Sequence, residues 1–163
     1  MTPGPRYRRS FKAPESFHRL RNWLHECRTQ HVDQRCREDL DETHAGPGRL
    51  LYVGSNLDSS HLRLHTTSDT VYPYIALMHC WGTQTLMKTT RSNLNALHND
   101  IDLETLPQTF KDAVMCARGI GVEHVWIDVL CIVQDDVSDW ERESAKMGNI
   151  YRKAAVVVVA DSS

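Results

Sequence analysis

The stretch "VWIDVLCIVQDDVSDWERESAKMGNIY", from Val125 to Tyr151, joins a strand pattern to a helix pattern and decides the fold. Its first part is apolar on both faces, which is typical of a central strand in a parallel sheet. Its second part, from Ser138 onward, has apolar residues at helical spacing. Two carboxylates interrupt these patterns, Asp128 late in the strand and Glu143 in the helix. Because burying a charge is unfavourable unless it is paired, each carboxylate is either paired or used in the function.

Strand and helix patterns alternate on both sides of this stretch. We predict strands at "YIALMHCWG" (74–82), "HVWIDVLCIV" (124–133) and "AVVVVA" (155–160), with helices over 107–119 and 138–153. This order implies right-handed crossovers between neighbouring parallel strands. We therefore expect an α/β fold with a mostly parallel sheet flanked by helices.

The N-terminal part of the chain predicts a helix and a short hairpin packed on that sheet. Residues 15–36 have helical spacing at least as far as Cys27, and "RLLYVG" (49–54) and "HLRLHT" (61–66) read as paired strands. Residues 15–72 are too few and too polar for a core of their own. We therefore predict a flexible arm over 1–14 and a single domain over 15–163.

Composition narrows the choice of partners and compartment. The 163 residues carry a formal net charge of −2, which favours neither nucleic acid nor an anionic membrane as a partner. The N-terminus lacks a secretory pattern, and five cysteines are an odd count, so we expect reduced thiols and a cytoplasmic protein. Cys27, His31 and Cys36 are spaced more widely than typical zinc ligands, so we predict no metal. Cys131, within "VLCIV", is expected to be a small core residue.

Glu143 stands out within its own helix. Ser138 is the predicted N-cap, and Glu141, three residues later, would complete a capping box. Glu143 has no such task and falls on the apolar stripe, so it points toward the sheet or toward the rim of a cleft. It is then either a functional carboxylate or one half of a structural ion pair, with Lys146 or with an arginine elsewhere.

A second group of candidate residues comes at the ends of two predicted strands. Ligands of open α/β sheets bind beyond the carboxyl ends of the strands. Asp128 lies late in one strand, and His79, Trp81 and Gly82 end another, so we expect the four to line a cleft. The alternative for Asp128 is a buried acceptor that fixes a loop.

Three ordered motifs, "YIALMHCWG", "LPQTFKDAV" and "VWIDVLCIVQDDVSDWERESAKMGNIYRKA", resemble the fungal heterokaryon-incompatibility (HET) domain, with the core motifs over 74–163. The resemblance implies a cell-death effector in fungal non-self recognition. HET domains are distantly similar to Toll/interleukin-1-receptor (TIR) domains, which implies a TIR-like fold. The first motif of the family usually reads Ala-Leu-Ser-Tyr, and here Met78 and His79 stand in place of the Ser and Tyr.

Some TIR domains cleave NAD with a glutamate on a helix beside a tryptophan, and Glu143 with Trp140 is similar to that pair. The resemblance implies a catalytic Glu143 and substrate binding by Trp140, with NAD or a related nucleotide as the substrate and no further cofactor. The nicotinamide of NAD is already a cationic leaving group, so one carboxylate facing an oxocarbenium-like transition state suffices. The alternative is a non-catalytic, TIR-like signalling module acting by self-association or partner binding, because fold does not decide function.

Overall fold

The computed structural model of the chain describes residues 14–30, 46–68, 70–79 and 87–160. Its strands are β1 (Arg49–Tyr52), β2 (His61–Thr66), β3 (Ile75–Met78), β4 (Ile101–Asp102), β5 (His124–Trp126) and β6 (Val156–Val159). Its helices are α1 (Pro14–Gln30), α2 (Leu94–Asn99), α3 (Gln108–Ile120), α4 (Asp128–Cys131), α5 (Val137–Ser144) and α6 (Met147–Lys153). These strands form one six-stranded sheet in the order β4-β2-β1-β5-β3-β6. The predicted α/β class, with a sheet flanked by helices, is confirmed.

The sheet is mixed, so the prediction of a mostly parallel sheet is wrong. β3 runs parallel to β5 and β6, whereas the pairs β1–β2, β1–β5 and β2–β4 are antiparallel. The physical reason is the N-terminal hairpin, which joins the sheet edge to edge and does not pack on its face. Leu50 and Leu51 point to opposite faces of β1 and both are buried, so β1 is an interior strand, hydrogen-bonded to β2 on one side and to β5 on the other.

The parallel half of the sheet carries the helices named in the sequence. The α3 helix confirms the prediction over 107–119, and it ends at Gly121, whose φ of 79° requires the left-handed conformation that glycine tolerates. Phe110 and the other buried apolar side chains of α3 belong to the hydrophobic core, together with Leu77 of β3 and Val125 of β5. The β6 strand lies at the edge of the described sheet and leaves Val157 and Val159 exposed.

Two predicted elements of the stretch 125–151 are shorter than expected. The β5 strand ends at Trp126, and the chain turns into α4 because the amides of Leu130 and Cys131 both donate to the Ile127 carbonyl. Asp128 therefore opens a helical turn beyond the strand and does not lie within it. No helix of the described chain is long and apolar enough to cross a membrane.

The predicted helix over 138–153 is divided into α5 and α6, with a break at 145–146. Its N-cap is Asp136, whose carboxylate accepts from the Asp139 amide at 3.2 Å, so the prediction of Ser138 as the cap is wrong. Several residues before α5 can cap a helix, and the position of the first helical turn selects Asp136 among them.

The α1 helix packs on α3. Arg21 donates to the Gly119 carbonyl at 2.7 Å. A Cβ at Gly119 would lie 2.6 Å from the ring of Phe17, so this close approach requires glycine. The arm over 1–14 and the single domain over 15–163 stay predictions, because residues 1–13 and 31–45 lie outside the described residues.

Candidate functional site

Glu143 is buried between α5 and the beginning of β1. It is 1% exposed, and its Oε2 accepts a hydrogen bond from the Gly48 amide at 2.8 Å. Its Oε1 accepts from Lys146 Nζ at 2.9 Å, and Arg142 Nε lies 3.5 Å from the same oxygen. A Cβ at Gly48 would lie only 2.8 Å from Oε1, so the carboxylate fills the space beside this glycine.

Asp139 lies one turn before Glu143 and is also buried and paired. Its carboxylate forms ion pairs with Arg49 and Arg142 and accepts from the Val133 amide at 2.8 Å. Burial alone would raise the pKa of Asp139, but the hydrogen bonds from Arg49 and Val133, with the charges of the two arginines, hold it below its usual value. We call Gly48, Arg49, Asp139, Arg142, Glu143 and Lys146 the Glu143 cluster.

These contacts match the structural alternative for Glu143, including the proposed partner Lys146. The catalytic role of Glu143 stays a prediction. The predicted substrate-binding residue Trp140 is 51% exposed, so the two side chains do not share an environment.

Asp128 and His79 meet beyond the ends of β5 and β3, as the sequence predicts. Asp128 Oδ1 lies 3.8 Å from His79 Nδ1, and the side chains are 14% and 5% exposed, respectively. The same Oδ1 accepts from the Val129 amide at 2.7 Å. The His79 ring stands edge-on to Phe110 of α3, with 5.1 Å between ring centroids. The other predicted cleft residues, Trp81 and Gly82, lie outside the described residues.

Tyr151 of α6 is the neighbour of Asp128 that the sequence did not single out. Burial raises the pKa of Tyr151, and the negative charge of Asp128 raises it further, so the carboxylate acts directly on the phenol. The Tyr151 ring stands edge-on to Trp126, with 5.4 Å between ring centroids. We call His79, Trp126, Asp128 and Tyr151 the Asp128 cluster.

A third group of titratable residues includes His65 of β2 and His124 of β5. His65 Nδ1 is 3.4 Å from His124 Nε2, and the Tyr72 ring contacts both imidazoles. Burial lowers the pKa of His124, and the charge of His65 lowers it further, against the opposing charge of Glu123. The lowered pKa favours the neutral form of His124 in the folded chain.

The two buried thiols of the described chain, Cys116 and Cys131, are poor nucleophiles. Burial raises the pKa of Cys131 to about 12 and that of Cys116 to about 11, so both are protonated at neutral pH. Of the three residues considered as zinc ligands, His31 and Cys36 lie outside the described residues. In the part of the chain that the structure describes, no group of three His, Cys, Asp or Glu residues is placed to hold a metal ion.

A family model described as heterokaryon incompatibility protein (HET) matches residues 74–163, more than half of the chain. The chain belongs to the HET family. No curated protein and no solved structure matches it. Membership confirms the resemblance seen in the motifs and indicates a function related to heterokaryon incompatibility. Asp128 and Glu143 both lie inside the matched segment, whereas Gly48 and Arg49 lie upstream of it.

Sequence reasoning missed Gly48, Arg49 and Tyr151. Arg49 carries a usable signal, because an arginine directly before the buried pair of leucines on β1 needs an acidic partner nearby. Gly48 and Tyr151 carry none, because their roles depend on which strands are neighbours in the sheet.

Proposed function

We propose that this HET domain is a cytoplasmic cell-death effector in fungal non-self recognition. Family membership supports the part of the proposal that concerns heterokaryon incompatibility. Two modes of action are distinguished by the environments of Glu143 and Asp128.

The pairing of Glu143 best supports a non-catalytic module that acts by self-association or by binding a protein partner. Both oxygens of the carboxylate already accept hydrogen bonds, from Gly48 and from Lys146. A catalytic carboxylate must face the charge that develops in the transition state. Turning Glu143 toward a substrate would break both bonds, so the side chain is suited to holding α5 against β1.

Replacing Glu143 tests this mode directly. Glu143→Gln keeps the shape but removes the charge opposite Lys146, so we expect lower stability, by about 1–3 kcal/mol, with unchanged cell-killing activity per folded molecule. Glu141→Gln, on the exposed side of the same helix, is the matched control. Melting temperature and cell death are measured on both variants, together with nicotinamide release from NAD. A Glu143→Gln protein with unchanged melting and no cell-killing activity would contradict the structural role.

The position of the Asp128 cluster favours a second candidate function, cleavage of NAD or a related nucleotide at its N-glycosidic bond. In this reaction the bond from ribose C1′ to the nicotinamide nitrogen breaks, and nicotinamide leaves with the electron pair. Water then adds at C1′ and releases a proton to solvent. Asp128 is a partly exposed carboxylate at the edge where such sheets bind ligands. We assign it the role of facing the positive charge at C1′.

For this second mode, we expect Asp128→Asn to reduce nicotinamide release by about 100-fold or more. Asp58→Asn, in an exposed turn, is the matched control and should cleave normally. An unmodified protein that kills cells without releasing nicotinamide would leave the non-catalytic mode as the function.

A further inference from the structure

Thr89, which lies between β3 and α2, is a fully buried polar residue. Its amide, hydroxyl and carbonyl all bond to the loop that begins with α4. The amide donates to the Val129 carbonyl at 3.0 Å, and the hydroxyl donates to the Leu130 carbonyl at 2.6 Å. The Thr89 carbonyl accepts from the Gln134 amide at 2.8 Å. One residue thus holds three positions of a loop whose residue Leu130 lies 41 positions further along the chain.

The α4 helix needs these bonds because it is a single turn. The last four carbonyls of a helix have no partner within it, and α4 has four residues, Asp128–Cys131. Thr89 satisfies the carbonyls of Val129 and Leu130. Arg49 Nε donates to the carbonyl of the last residue at 2.9 Å. A lone helical turn is unstable without such outside contacts, so the position of α4 depends on Thr89 and Arg49.

The side chain of Asp128 is joined to Thr89 through Val129. The Val129 amide donates to Asp128 Oδ1 at 2.7 Å, and the Val129 carbonyl accepts from Thr89. A shift of Val129 therefore moves the carboxylate oxygen that lies 3.8 Å from His79 Nδ1. The charge of the same carboxylate acts on Tyr151. A group that faces a developing charge has to be held in place to within about 0.5 Å.

We propose that Thr89 is a positioning residue for Asp128, because its hydroxyl fixes α4 in the place that sets the carboxylate against His79. The effect on catalysis rests on the second candidate function, whereas the effect on the position of Asp128 holds in either mode of action. A valine would have nearly the same shape as Thr89, but the carbonyl of the buried Leu130 would then lose its donor. The hydroxyl is therefore the group to remove.

Thr89→Val removes the hydroxyl, and Thr67→Val is the matched control. Thr67 is also buried, and it makes the same pair of bonds to a different loop, from its hydroxyl to the Pro47 carbonyl and from its amide to the Gly48 carbonyl. Thr89→Ser keeps the hydroxyl and serves as the rescue variant. Crystal structures of the variants give the position of the Asp128 carboxylate, and nicotinamide release from NAD gives kcat and KM.

We expect both valine variants to melt at a lower temperature, but only Thr89→Val should move the Asp128 carboxylate relative to His79. Thr89→Val should also lower kcat by about 10- to 100-fold, because a displacement of about 1 Å can cost 100-fold in rate. KM should stay nearly unchanged, since the lost interaction belongs to the transition state. Thr89→Ser should restore the position and the rate. An unmoved carboxylate in Thr89→Val, or one displaced as far in Thr67→Val, would overturn the proposal.

Hydrogen exchange tests the same contact in the unmodified protein, so the proposal stays open to refutation if Thr89→Val does not fold. The amides of Thr89 and Gln134 donate across the contact. The amides of Leu130 and Cys131 donate within the turn of α4. If Thr89 holds α4, all four amides should exchange through one common opening. Rapid exchange of the Thr89 amide while the α4 amides stay protected would overturn the proposal.

The outcomes separate the positioning role from the cleavage reaction. If the unmodified protein releases no nicotinamide, the second candidate function fails, and the position of Asp128 in the variants still decides the role of Thr89. If the protein releases nicotinamide and Thr89→Val leaves the carboxylate in place, that function stays and the positioning role fails.

Discussion

Glu143 and Asp128 lie in one stretch of sequence but meet opposite environments. Both oxygens of Glu143 accept hydrogen bonds from groups whose positions the fold fixes. The neighbour of Asp128, His79, has two buried nitrogens that no described residue pairs. Glu143 is thus the more deeply buried of the two carboxylates, and the hydrogen bonds to both of its oxygens account for its burial. Burial of a charge therefore identifies a residue to examine, and the hydrogen bonds and ion pairs around it show whether the fold already accounts for it.

The largest effect is expected from removing the upstream half of the Glu143 cluster. A chain beginning at Val71 lacks β1 and β2, and with them Gly48 and Arg49, the partners of Glu143 and Asp139. It also leaves β5 without its antiparallel neighbour. We expect no cooperative thermal transition by circular dichroism. A truncated chain that melted like the full one would show that the Glu143 cluster is dispensable.

Asp139→Asn should have the next largest effect. In this variant Arg49 lacks its buried charge partner. Breaking a buried ion pair by removing one partner destabilises a protein by about 3–5 kcal/mol. Denaturant unfolding measures this loss, and Asp58→Asn is the surface control.

The same variant has a signature in acid. The pKa of Asp139 is lower in the folded chain than in the unfolded chain. The contribution of its carboxylate to stability is therefore fully present above the unfolded pKa of about 3.9 and is lost as the pH falls through the folded pKa. Asp139→Asn should therefore remove part of the pH dependence below about pH 4. An unchanged acid-unfolding profile would contradict the assigned ion pairs.

Gly48→Ala tests the space beside Glu143. The new Cβ would lie 2.8 Å from Oε1 and 3.2 Å from Cδ of the carboxylate, and we expect a loss of about 1–3 kcal/mol from overpacking. Gly46→Ala is a close control, because a Cβ at Gly46 has no atom within 4 Å. Equal melting temperatures for the two variants would show that Glu143 can move aside, as a catalytic side chain needs to do.

The smallest effect concerns His124, which extends the comparison to a cluster without a carboxylate. The pKa of His124 is lower in the folded chain than in the unfolded chain. The contribution of His124 to stability is therefore fully present above the unfolded pKa of about 6.5 and is lost as the pH falls toward the folded pKa. His124→Phe should flatten the dependence of stability on pH below about 6.5, while His61→Gln should not. If the stability of His124→Phe fell with decreasing pH as steeply as that of the unmodified protein, the pH dependence would come from other residues.

Local patterns predicted the helices and short strands well, because those patterns reside in neighbouring residues. The amphipathic period over 107–119 gave α3, and alternation over 61–66 gave β2. The sheet order could not be predicted, because the pairing of β1 with β5 joins residues far apart in the sequence and no local pattern encodes it. The prediction of a mostly parallel sheet rested only on the alternation of strands and helices in the second half of the chain.

The candidate site was predictable to the same extent. The positions of Asp128 and His79 follow from strand ends, which the sequence shows. The contact of Glu143 with Gly48 does not, since the two residues are 95 positions apart in the sequence. The TIR-like geometry implied by the resemblance stays a prediction, as do the catalytic and nucleotide-binding roles it suggests.

The insertion of β1 beside β5 has a kinetic consequence. His124 follows its partner Tyr52 by 72 residues, so at a synthesis rate of about 5–20 residues per second it emerges from the ribosome roughly 4–14 s later. During that interval the nascent β1–β2 hairpin presents an unpaired apolar edge, and such edges bind other chains. Closing so long a loop also slows folding. The yield of folded protein should therefore depend on chaperones that cover the hairpin until β5 emerges.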